Sequence, residues 1–452
     1  MSSPVPPLRP TISVQLGARA PADKEAAARR KAELAAVADA APWRASWLLH
    51  APHRLGFFLA SCVLVLASLW WALVQVDRAT GALHLAGGLP QIIVHGTVMV
   101  LGFMPLYFAG FLFTAGPKWL HVDAPTATDI RTPLLLQAVG WALWLTAGVT
   151  AQGRGLALGG GALALGGLLG MVGHFWKLVR ASTLPDRLHA RTVGVAGVVG
   201  CISLAGVLVC VALERYDLAR LWVLTALWGF IVPVFVAVAH RMIPFFTSNA
   251  VPLVQVWRPF WVLGLMLGAS VFEVLAVWIE GLAAPGTGWL LLRGLVELGV
   301  AGMLLWLAVV WGLVQSLRVR LLAMLHIGFV WLGVAYALSA VAQFAAVYLG
   351  SPVFGWGGLH ALTMGCIGSL ILAMVTRVSC GHSGRALVAD EVVWTLFWLL
   401  QAAVVLRLIG ALPGTSAWWI TAAALLWSGL LTAWSWRYAR WYGKPRADGK
   451  EG

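Results

Sequence analysis

Charge is what this sequence has least of. Asp, Glu, Lys and Arg make up 11% of 452 residues while 60% are hydrophobic, where a soluble globular protein carries about 25% charged residues. Cysteine is also scarce. Cys62, Cys201, Cys210, Cys366 and Cys380 lie in or beside apolar runs, and no CxxC pair occurs. That pattern fits neither a disulfide framework nor a zinc site, and the thiols read as small core residues. Period-two alternation is absent, which excludes an outer-membrane barrel. There is no HExxH, Walker loop or Ser-His-Asp spacing, so hydrolase or ATPase chemistry of the soluble type has no support. The N-terminus opens MSSPVPPLRP and continues KEAAARRKAELAAVADAA, without the apolar core of a signal peptide. Residues 1–53 read as a flexible cytoplasmic tail carrying a short amphipathic helix on the membrane surface.

What the chain has in abundance is apolar runs of about twenty residues, each long enough to cross a bilayer core as a helix. Spans are expected at 54–76, 90–115, 133–151, 156–179, 191–213, 219–246, 258–279, 288–317, 322–349, 355–379, 391–411 and 416–437. The expectation is therefore an all-α integral membrane protein: a twelve-helix domain over 54–437, a tail over 438–452, and both termini cytoplasmic. The distribution of charge supports that count. Of 31 Lys and Arg residues, 25 fall on the side of the termini, and only Arg78, Arg154, Arg215, Arg220, Arg293 and Arg407 fall on the other. The net charge of +14 thus serves orientation and anionic lipid. The lipid bilayer is the expected partner and nucleic acid is not. Trp70, Trp71, Trp418, Trp419, Trp436 and Trp441 fall near span ends as an aromatic belt would. The glycines of GGGALALGGLLGMVG, Gly159 to Gly173, suit close helix packing.

Ionisable groups inside spans are costly, so each is a candidate site. His95 lies in the second span and His360 in the tenth, both roughly 8 Å below the outer surface at 1.5 Å per residue. Two imidazoles at one level suit the axial positions of a b-type haem, with Arg293 and Arg407 available to its propionates. Equally, each could hydrogen-bond across helices and do nothing more. Glu273 and Glu297 share the outer half, and Arg293 and Glu297 are spaced to pair on one helical face. A second layer near the cytoplasm holds His174, His240, Arg241, His326, Arg377 and His382. For His174, His189 and His240 headgroup or water contact is expected, and His50, His53, His84 and His121 are expected to be solvated.

Four stretches carry a family likeness. HALTMGCIGSLILAMVTRVSCGHSGRAL, His360 to Leu387, resembles the signature of the NnrS family. RMIPFFTSNA, Arg241 to Ala250, is similar to that family's R-x-I-P-F-F-T-x-N block. LHIGFVWLG, from Leu325, and HGTVMVLGF with AGFLFTAGPKW, between His95 and Trp119, resemble two further blocks, all in the family's order. The resemblance implies a bacterial inner-membrane protein containing haem and copper that acts in the response to nitric oxide, with nitric oxide or a redox protein as its partner. The matching positions are His95, Arg241, Asn249, His326, His360, Arg377, His382 and Arg385. The family's H-x-H-E-M in the second span is here His95-Gly96-Thr97-Val98-Met99. This marks a divergent member, for which haem b is the expected cofactor and copper is left open. HGTVM also resembles the second span of haem–copper oxidases and nitric-oxide reductases, twelve-span proteins that hold a low-spin haem between their second and tenth spans. Those enzymes carry a copper-site histidine on the sixth span and a His-His pair on the seventh; here the sixth has only His240, followed by Arg241, and the seventh has none.

Two readings compete with a haem protein. In one, a cofactor-free twelve-helix transporter uses Glu273, Arg293, Glu297 and Arg407 as a substrate or proton path. In the other, a sensor or assembly factor docks a cytoplasmic partner through the N-terminal tail.

Overall fold

The computed structural model describes residues 21–85, 87–251, 255–351 and 353–450; the expected flexible stretch MSSPVPPLRP lies outside them. Within lipid, a helix is the one open structure that pairs every backbone N–H and C=O within itself, and no strand occurs among the described residues. The helices are α1 Pro21–Ala40, α2 Pro52–Thr80, α3 Gln91–Leu101, α4 Phe103–Leu120, α5 Ala127–Ala147 and α6 Gly153–Ala181. They continue as α7 Leu188–Ala212, α8 Tyr216–Ala226, α9 Val232–Ala250, α10 Phe260–Ala283, α11 Thr287–Val310 and α12 Leu313–Ser316. The last five are α13 Arg320–Leu349, α14 Gly357–His360, α15 Ser369–His382, α16 Glu391–Ile409 and α17 Trp418–Tyr442.

Among the described residues, ten helical runs are long and apolar enough to cross a membrane, counting α3 with α4, α8 with α9, and α14 with α15 as single runs. The chain is a multi-pass helical membrane protein. The expected spans at 133–151 and 416–437 coincide with α5 and α17, which are helices but fall outside those ten.

Three of the long runs are interrupted, and each interruption has a local cause or a local consequence. Pro105 has no N–H to give the carbonyl of Leu101, and the chain breaks at Gly102 between α3 and α4. Pro233 deprives the carbonyl of Gly229 in the same way, and the turn before it widens into a π-helical segment, Leu227–Ile231. A second π-helical segment, Ala361–Gly368, directly follows His360 and contains no proline. Such segments re-aim side chains and recur at functional sites.

The glycine-rich helix packs as its composition predicts. A methyl group on Gly160 of α6 would strike the carbonyl oxygen of Gly140 on α5, and one on Gly140 would strike the backbone of Gly160 and Ala164. Gln137 takes advantage of this approach, donating to the carbonyl of Ala164 at 2.5 Å while accepting from Trp141 Nε1 at 2.7 Å. Gly160→Leu is expected to push the two helices apart and to cost about 1–3 kcal/mol, read as a lowered unfolding temperature in detergent.

The two flanks of the chain meet at one end of the bundle. Arg44 N donates to the Gly443 carbonyl at 2.9 Å, Trp43 Nε1 to Ala439 at 3.1 Å, and Arg54 to Lys444 at 2.8 Å. Ala447 N donates to Ser383 at 2.8 Å, and Arg385 pairs with Asp39. The helix expected in the N-terminal segment is present as α1, but its sequence leaves no apolar stripe, so it lacks the amphipathic face foreseen for it. Arg446 donates to both oxygens of Asp448, at 2.8 and 2.6 Å, and holds that carboxyl down to about 2. A depressed carboxyl contributes fully above its ordinary value of 3.8 and loses its contribution as the pH falls through about 2. Amide protection around Asp448 is therefore expected to survive mild acid and to fail only in that lower window, as hydrogen exchange would show.

Candidate functional site: a cavity rimmed by histidine and arginine

A cavity of about 500 Å³ lies between the helices, within the roughly 300–1,000 Å³ usual for small-molecule and cofactor sites. Its walls are mostly apolar, with a few convergent polar groups. His95 on α3 and His360 on α14 both line it, together with Arg407 on α16. The structure thus brings the two imidazoles into one cavity. Both π-helical segments contribute walls, through Leu227 and Ile231 in the first and Thr363 and Met364 in the second.

Each histidine is prepared differently. His360 Nδ1 lies 2.9 Å from the carbonyl of Trp356, one turn back. A carbonyl only accepts, so the proton sits on Nδ1 and the Nε2 lone pair is free; metal-binding histidines are commonly oriented this way. His95 is stacked on Trp71, with ring centroids 3.7 Å apart and planes at 16°, and its Nδ1 is buried without a hydrogen-bond partner. Arg407 Nη1 is likewise buried and unpartnered. An orphaned imidazole nitrogen, a second free nitrogen and an unsatisfied guanidinium in one apolar cavity fit a planar, anionic, metal-bearing cofactor such as haem.

Sequence reasoning missed three members of this site. Trp71, assigned to an aromatic belt, faces the cavity, and its neighbour Trp70 is buried. Arg78 and Arg220, counted only as charges on the cation-poor side, line the cavity with their guanidinium groups over Trp71 at 5.2 Å and over Trp356 at 5.5 Å. Their signal was present: arginines on the cation-poor side of a membrane work against orientation and call for another reason to be there.

Arg293, expected to serve the same cofactor, is not among the residues lining the cavity. It is held by three carboxylates instead, Glu273 at 2.8 Å, Glu280 at 2.6 Å and Glu297 at 2.9 Å. The foreseen pair with Glu297 is thus present, and the four residues proposed as one transport path divide between this cluster and the cavity, which holds Arg407.

In the second polar layer each side chain has its own partner. Thr247 Oγ1 spends its proton on the carbonyl of Ile243 and accepts from His326 Nε2 at 2.9 Å. Arg377 lies over the Phe246 ring at 3.9 Å, and Arg241 over Trp119 at 5.1 Å. His382 turns away to pack against His53 at 4.6 Å between ring centroids. Arg385 lies over Trp441, and Asn249 is exposed. Among the described residues no group of three or more His, Cys, Asp or Glu side chains gathers as a metal chelate.

Several histidine expectations are corrected. His53 is buried, because the chain flanks close over the start of α2. His189 and His240 are buried too: His189 Nε2 and His240 Nδ1 are 3.0 Å apart, and His240 Nε2 donates to Pro259 at 3.1 Å. Each ring finds a partner inside the protein, so headgroups and water are not needed. His174 Nδ1 donates to the carbonyl of Gly170 at 2.8 Å.

The fold is that of a multi-pass helical membrane protein, with a cavity lined by histidine and arginine. A family model described as NnrS protein matches residues 47–446, nearly the whole chain. The chain belongs to the NnrS family. No curated protein and no solved structure matches it.

Proposed function

We propose that this NnrS-family protein binds haem b, with His95 and His360 as the axial ligands, and acts in the bacterial response to nitric oxide. The observation that carries the reading is the convergence of two imidazoles, from α3 and α14, on one cavity of cofactor size. Haem bound there would supply one-electron chemistry or, with one axial position open, a site for nitric oxide. The chain's own part is to hold and orient it. The carbonyl of Trp356 fixes the tautomer of His360, and the indole of Trp71 fixes the plane of His95. Arg407, Arg78 and Arg220 supply the cations that propionates require, in place of Arg293. The apolar walls would exclude water from a group bound there.

The same reading places the chain in the inner membrane with twelve crossings and both termini in the cytoplasm. The meeting of the two flanks at one end and the basic charge on that side support it. The second span lacks the extra histidine and glutamate that the family resemblance would have offered to copper, so one metal per chain is expected. Protein purified from haem-replete cells should show a reducible haem b spectrum with one iron and no copper. A colourless preparation would remove the proposal.

A further inference from the structure

The cluster on α10 and α11 is a second site, independent of the haem reading. Glu273 and Glu297 are 1% and 0% exposed, and both are gripped by Arg293. The grip is unusual in one respect. The Nε and Nη2 edge of a guanidinium usually takes both oxygens of one carboxylate. Here Nε goes to Glu297 Oε1 at 2.9 Å and Nη2 to Glu273 Oε2 at 2.8 Å. Two carboxyl groups are therefore held side by side on adjacent donors. Their remaining oxygens, Glu273 Oε1 and Glu297 Oε2, are buried with no partner.

Charge counting sharpens the point. Three carboxylates face one arginine, and in the dry interior of a membrane protein such an excess of negative charge is costly. Two carboxylates held this close resist ionising together; one shared proton cuts the excess from two negative charges to one and gives the orphaned oxygens a hydrogen bond. Glu280 is different. It is 31% exposed, takes Arg293 Nη1 at 2.6 Å and Trp289 Nε1 at 2.9 Å, and lies one turn from the end of α10. The charged and titratable groups around the pair are Glu280 on α10, Arg293 on α11 and Tyr336 on α13.

We propose that Glu273 and Glu297 form a proton-binding site within the membrane domain, holding one shared proton at neutral pH and exchanging it with water by way of Glu280. On release, the proton leaves the Glu273–Glu297 pair for the Glu280 carboxylate and then for bulk water, leaving both buried groups ionised against Arg293. Glu280 is thus the mouth of the site and the pair its floor.

The test is infrared spectroscopy of the full chain in lipid nanodiscs with ¹³C-labelled glutamate, which needs no variant. A protonated-carboxyl C=O band is expected at neutral pH, sensitive to the label and shifted in D₂O. Glu273→Gln and Glu297→Gln should each remove it, because the remaining carboxyl is then free to ionise beside Arg293. Glu280→Gln should keep the band and slow its D₂O shift at least tenfold. Absence of a label-sensitive band in the native protein would overturn the proposal. So would a band that survives in both single variants, or one that sodium or calcium ions displace at neutral pH, which would make the site a cation site. None of these readouts depends on haem, so a colourless protein would leave this site standing.

Discussion

His360→Ala and His95→Ala are each expected to lower the haem content of the purified protein at least tenfold. Removing a group that merely orients a metal ligand already costs about 10–100-fold in metal affinity, and here the ligand itself is lost. The two variants should not behave identically afterwards. His360 is tied to the backbone through Trp356 and His95 is held by Trp71, so the loss of His360 would remove one ligand and leave the other oriented. Added imidazole should then restore part of the spectrum. His326→Ala is the control: that histidine is buried and bonded to Thr247, outside the cavity, and its loss should leave haem content unchanged. Full haem content in both His95 and His360 variants would show that the two rings are helix-to-helix contacts and nothing more.

The parts of this site that could be read from sequence are those fixed by distance along a helix. His95 and His360 each lie a few residues inside an expected span, so the rise per residue alone predicts one level for them, and both line one cavity. Arg293 and Glu297 pair because four residues return a helix to the same face. What could not be read is rotation about the helix axis. Trp71, Arg78 and Arg220 face the cavity because packing turns α2 and α8 that way, which spacing along the chain does not reveal. The π-helical segment before Pro233 has a cue in the proline; the one after His360 has none, although it shapes the wall beside that ligand. For His53 the sequence predicts solvation, and for His189 and His240 contact with headgroups or water, because they sit near helix ends. Their burial depends on the chain flanks and on the start of α10 closing over them, contacts between stretches far apart in sequence.

Arg293→Ala is expected to be the most damaging single substitution in the structure. The guanidinium is the sole cation bonded to Glu273, Glu280 and Glu297 among the described residues. Removing one partner of a buried ion pair typically costs about 3–5 kcal/mol, because the charge left behind has nothing to answer it. Glu273 and Glu297 are fully enclosed, so water cannot take the place of the lost donors. Arg293→Lys should recover only part of the loss: a lysine carries the charge but has no rigid fork to hold two carboxyl groups side by side. The informative variant is Arg293→Ala combined with Glu273→Gln and Glu297→Gln, which removes the buried charge together with its counter-ion. Thermal unfolding in detergent should rank it well above Arg293→Ala alone, since neutral amides can bond to each other where bare carboxylates repel. If the triple variant is no more stable than the single one, the cluster is held by packing, and electrostatics is not what makes Arg293 indispensable.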